Sequence, residues 1–190
     1  MPENKVRLNI QKVHYAVLTE TVENGVPTYS WGTPVPIPGA VSLDLPPVGE
    51  REDFYADGIV YYTSVSNQGY EGDLEIARVP DSFLKDIFGN TLGATSKVLT
   101  ENANTEPKRF ALLFQEDGNE NARCAVLYNC TAERPSAGAA TATQTKTPQT
   151  QTMSIRAVPL ADGRVKCVTT YETPAATVNG WFASVFEETA

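Results

Sequence analysis

Three carboxylates, Glu71, Asp73 and Glu75, fall at every second position of "YEGDLEIARVP", the stretch from Tyr70 to Pro80. Successive side chains of a strand point to opposite faces. The stretch therefore stands the three acids in a row, followed by Ala77 and Val79, with Tyr70, Leu74, Ile76 and Arg78 on the other side. Like charges along a sheet face repel, so the row needs a reason. Two acids can hydrolyse a glycosidic bond when they flank it, and Tyr61, Tyr62 and Tyr70 offer rings on which a sugar stacks. These acids stand side by side, however, and do not face one another across a cleft. Carboxylates also bind calcium, but the loop spacing of an EF-hand is missing. Simple solvent exposure is the plainest alternative.

Other reactive groups are few. His14 is the one histidine, in "QKVHYAVLT", with Val13, Tyr15 and Val17 on one face and His14 beside Lys12 and Ala16 on the other. A surface or interface histidine fits this better than an active-site one. Cys124, Cys130 and Cys167 are odd in number and match no zinc spacing, which favours free buried thiols. The sequon-like "NCT" at Asn129 reads as chance. The sequence contains no phosphate-binding glycine loop, no HExxH and no GxSxG. The expectation is a protein that is not an enzyme and takes no cofactor or metal.

Net charge is −8. Gripping a phosphate backbone needs clustered Lys and Arg, so this chain is suited to lie near nucleic acid while repelling it. No apolar run reaches membrane-spanning length, and "MPENKVRLNIQKVHY" holds no apolar signal core. Synthesis and retention in a cytoplasm is the expectation.

The elements that must position these groups read as strands. Turn signals recur at Asn24-Gly25, Asp57-Gly58, Asn67 to Gly69, Glu116 to Asn119, Asp162-Gly163 and Asn179-Gly180. Between them lie β-branched and aromatic runs such as "IVYYTSV", "RFALLF", "CAVLYNC" and "RVKCVTTY". This pattern predicts a mainly β protein of antiparallel hairpins, a sandwich or barrel. One helix is expected over about 80–89. Asp81 caps it, Phe83, Leu84, Ile87 and Phe88 share a face, and Gly89 stops it. Residues 44–58 read as a long hairpin extension containing Glu50, Arg51, Glu52, Asp53, Phe54 and Tyr55. Residues 134–152, rich in Thr, Ala and Gln, read as a loop that is mobile in isolated subunits and ordered on assembly.

Five stretches in order carry a resemblance: "IPGAVSLDL", "FYADGIVYYTSVSNQGYEGDLEIARVPDSFLKDIFG", "EPKRFALLFQEDG", "LYNCTAERPS" and "PQTQTMSIRAVPLADGRVK". Together they resemble the major tail protein, or tail tube protein, family of long-tailed, siphovirus-type bacteriophages, from about Lys5 to about Lys166. The resemblance implies a structural virion protein in one tail tube domain over residues 1–190. It implies a β-sandwich with a flanking helix, and hexameric rings stacked into a hollow tube that conducts double-stranded DNA without binding it specifically. The implied partners are further copies of itself, a tape-measure protein, and tail-tip and tail-terminator proteins. On this reading Glu71, Asp73 and Glu75 face the lumen. Residues 44–58, with Glu50 to Asp53 charged and Phe54 and Tyr55 apolar, stack between rings. The arm Met1 to Arg7 and the tail "NGWFASVFEETA" are expected against neighbours, although Trp181, Phe182 and Phe186 suit a core equally well. The segment before "PQTQT" departs from the family in carrying Lys146 as its one charge. Two other classes stay open: a β-sandwich carbohydrate-binding module that uses the tyrosines, and a hydrolase that uses the acidic strand.

Overall fold

The computed structural model describes residues 9–117, 122–141 and 148–188. It is mainly β, with a large antiparallel sheet and two short helices. The expected arm Met1 to Arg7, the tip of the turn at Glu116 to Asn119, and residues 142–147 of the threonine-rich loop lie wholly or partly outside the described residues.

The longest strand, β1 (Asn9–Glu23), pairs with β2 (Val26–Trp31) through a two-residue turn. Asn24 and Gly25 both take positive φ there, 52° and 80°. That conformation matches the twist of a hairpin and favours an Asn-Gly pair. On its other edge β1 pairs with β11 (Phe110–Asp117), which pairs with β12 (Arg123–Ala132). The order continues through β13 (Gln151–Ala157) and β8 (Gly69–Ile76) to β4 (Ala40–Asp44). Short strands complete the sheet: β3 (Val35–Pro36) on β1, β5 (Pro47–Val48) on β8, and β14 (Lys166–Val168) on β12. A further pair, β9 (Thr91–Leu92) and β10 (Leu99–Thr100), stands apart.

The sheet bends until β4 approaches β1 without pairing to it. Side chains from both ends then meet in one inner core, including Tyr15, Leu74, Ile76, Phe110 and Ile155. Helix α1 (Asp81–Asp86) plugs this core. Phe83 lies edge-on to Tyr15, Phe88 and Phe110, with ring centroids 4.9, 5.7 and 5.4 Å apart. The shared face of Phe83, Ile87 and Phe88 is buried as their spacing predicts, and Gly89 takes the left-handed φ of 67° that ends the helix. The helix is shorter than 80–89. Pro80, not Asp81, is its N-cap, and no side chain caps it.

A second helix, α2 (Ala175–Gly180), lies where Asn179-Gly180 signalled a turn. Beyond it Trp181 is buried against the outer face of β12, donating from Nε1 to the Ala125 carbonyl at 3.3 Å. Tyr128 donates to the Phe186 carbonyl at 2.9 Å. The C-terminal tail therefore covers its own sheet, and Trp181 is core. Cys124 and Cys130 are buried and Cys167 half-buried, all unbridged.

Candidate functional site

Strand β8 places Leu74 and Ile76 in the core and turns Glu71, Asp73 and Glu75 outward. The alternation read from the sequence holds as far as Ile76. The strand ends there, and the chain then buries Val79 and exposes Arg78, the reverse of the expected sides. Backbone geometry after Ile76 is set by the approach to α1, whose N-terminal residues follow at once.

The acids are not bare. On β13, Arg156, Ser154 and Thr152 stand opposite Glu71, Asp73 and Glu75. Arg156 Nε lies 3.6 Å from a Glu71 carboxylate oxygen, and Ser154 Oγ donates to Asp73 at 2.7 Å. Thr150 and Ser42 donate to Glu75 at 2.5 and 3.2 Å. On the other flank β4 sets Asp44 opposite Asp73. The outward face of these three strands thus bears Asp44, Glu71, Asp73 and Glu75 against the single cation Arg156, with hydroxyls between. Gly72 makes this close packing possible, since a Cβ there would sit 2.0 Å from the Asp44 carbonyl oxygen.

The structure does not bring the sugar-stacking tyrosines to Glu71, Asp73 and Glu75, although Tyr70 and Asp44 line one cleft. Tyr70 turns inward onto the core, with Lys166 Nζ 4.4 Å from its ring centre. A cleft of about 500 Å³ lies between the start of β1 and β4, lined among others by Asn9, Ile10, Leu43, Phe114 and Lys166. Glu71, Asp73 and Glu75 do not line it. Among the described residues no cluster of His, Cys, Asp and Glu is arranged to hold a metal ion. His14 is half-buried against Phe182, with ring centres 4.7 Å apart.

The second feature is a hairpin. β6 (Arg51–Ala56) and β7 (Ile59–Val65) form a two-stranded sheet that, among the described residues, pairs with no other strand. Asp57 and Gly58, at φ 53° and 78°, make its turn. The extension expected at 44–58 is therefore shifted along the chain. Asp44, Pro47 and Val48 belong to the main sheet, and "IVYYTSV", which reads as a strand, is the second arm of the hairpin. Phe54 stands opposite Tyr62, and Tyr55 opposite Val60. Phe54, Tyr55, Tyr61, Tyr62 and Val65 are each more than 60 % exposed. Asp53 is held by Thr63 Oγ1 at 2.6 Å and by Arg51 at 3.2 Å, and Glu50 and Ser66 close the base.

Gln149 clasps the base of the threonine-rich loop, accepting from Ala140 N and donating to Ala140 O, both at 3.1 Å. Gln151 and Thr152, assigned to that loop from sequence, begin β13. Among the described residues no helix is long and apolar enough to cross a membrane. No protein-family model matches the chain, and no curated protein matches it.

Proposed function

We propose that the chain is a tail tube subunit of a long-tailed bacteriophage: a structural virion protein that assembles as hexameric rings stacked into a conduit for the genome. The observation that carries this reading is the β6–β7 hairpin. A two-stranded hairpin is marginal on its own in water, and contiguous exposed apolar surface marks an interaction site. Here the exposed rings occupy a hairpin that, among the described residues, no other strand supports. Stacking on a neighbouring ring gives it a partner, with Glu50, Arg51, Glu52 and Asp53 at the joint and Phe54 and Tyr55 buried in it.

The acidic face of β4, β8 and β13 fits the lumen of such a tube. Ring symmetry repeats every carboxylate around the bore. Screening confines their field to about 8–10 Å at physiological salt, so DNA meets weak repulsion at the wall and slides. A basic wall would hold it, since each neutralised phosphate adds affinity. Tape-measure, tail-tip and tail-terminator proteins are the partners this reading requires.

The glycan-binding alternative has less support, because Tyr70 faces the core and Tyr61 and Tyr62 stand on a separate sheet from the acids. The test is negative-stain microscopy of the purified chain at high concentration, alone and with tail-tip and tape-measure proteins. Rings or tubes are expected, and a chain that stays monomeric throughout contradicts the proposal.

A further inference from the structure

The C-terminal segment 175–188 is attached differently from every strand it covers. Among the described residues no backbone hydrogen bond joins it to the sheet. Its amides bond locally, as Val178 to the Pro174 carbonyl and Ala183 to the Gly180 carbonyl. Three polar contacts tie it down: Trp181 Nε1 to Ala125 O at 3.3 Å, Tyr128 OH to Phe186 O at 2.9 Å, and Arg164 to Glu187 at 3.6 Å. The rest is contact of Val178, Trp181, Phe182, Val185 and Phe186 with the outer faces of β1, β11 and β12, apolar except where Lys12 Nζ lies over the Phe182 ring and His14 lies beside it.

Beneath it lies a cluster separate from the inner core, including Ala16, Leu18, Leu113, Cys124 and Val126. A helix as short as α2 does not persist alone, so this segment holds its shape through that contact. We propose that residues 175–188 are a detachable strap. It opens as a unit while the sheet stays folded, and it shields an apolar sheet face that would otherwise be open to other molecules. Units held by few contacts open below the free energy of global unfolding, whereas the hydrogen-bonded ladders of β11 and β12 hold until the sheet is lost. The inference is independent of the tail tube reading.

Two cysteines report the two layers. Cys124 and Cys130 are both fully buried, but Cys124 belongs to the cluster under the strap and Cys130 to the inner core. In the full-length chain, labelling with a thiol reagent in urea below the unfolding transition should modify Cys124 faster than Cys130, by about tenfold or more, with a shallower urea dependence. Hydrogen exchange at the Trp181 and Ala183 amides should follow the Cys124 opening. Equal rates and slopes for Cys124 and Cys130 would overturn the proposal. So would reaction at Cys124 while those two amides stay protected, because another element would then have opened.

Discussion

Asp44 of β4 and Asp73 of β8 stand directly opposite one another in the sheet, two carboxylates across one strand pair. Ser154 donates to Asp73 at 2.7 Å, whereas among the described residues no side chain donates to the Asp44 carboxylate. Directly opposed like charges destabilise a sheet. Asp44→Asn should therefore stabilise the subunit by about 0.2–1 kcal/mol, read as a higher urea midpoint. Asp73→Asn should gain less, because it also weakens the charge-assisted bond from Ser154.

The hairpin should matter to assembly and not to folding. Phe54 and Tyr62 face each other across it and are largely exposed. Replacing both with serine should shift subunit stability by no more than about 0.5 kcal/mol, as for most surface changes. The same variant should form no tubes under conditions in which the unaltered chain does. Urea unfolding and electron microscopy of the two proteins check this together.

Much of the acidic strand was legible in sequence because burial of Leu74 and Ile76 fixes the register, and a slip of one residue would bury the carboxylates. The spacing of Phe83, Ile87 and Phe88 gave α1, and two-residue turns at Asn24-Gly25 and Asp57-Gly58 gave hairpins. Three things were hidden. A β-branched, aromatic run does not say which strand it joins, so the pairing of β7 with β6 was not legible. The contact of Trp181 with β12 spans more than fifty residues, and a local pattern does not reveal whether a tail folds back. The donors from β13 to the acids depend on strand order, which alternation leaves open.

Gly72 makes the acidic face sensitive to a small change. A methyl group there would meet the Asp44 carbonyl oxygen at 2.0 Å and Pro46 Cδ at 3.0 Å. Both obstacles are backbone or ring atoms, so β4 must shift away from β8. Gly72→Ala should destabilise by about 1–3 kcal/mol, the usual range for overpacking. Amide exchange of Leu43 and Asp44 should accelerate with it.

Alkali should weaken the fold in a defined window. Burial pushes the Tyr15 phenol up from 10.0 to about 12, with a smaller contribution from its 2.9 Å bond to Asp86. Burial likewise lifts the Cys130 thiol from 9.0 to about 12. Both groups are neutral in the native state and ionise more readily once unfolded. Their contribution is complete below the unfolded values and is lost as pH rises toward about 12. Burial raises the Cys124 thiol from 9.0 as well, so urea midpoints should be flat up to about pH 9 and then fall steadily, with the first loss owed to Cys124 and Cys130 together. Replacing both cysteines with alanine should delay that onset toward the Tyr15 range, whereas Cys130→Ala alone should only reduce the first loss.

Cryo-electron microscopy of the polymerised chain tests the central claim most directly. The account predicts sixfold rings stacked into a hollow tube, with Glu71, Asp73 and Glu75 on the inner wall and the hairpin of Arg51 to Val65 bridging successive rings. A tube that carries those carboxylates on its outer surface, or a chain that never polymerises even with tail-tip and tape-measure proteins present, would contradict it.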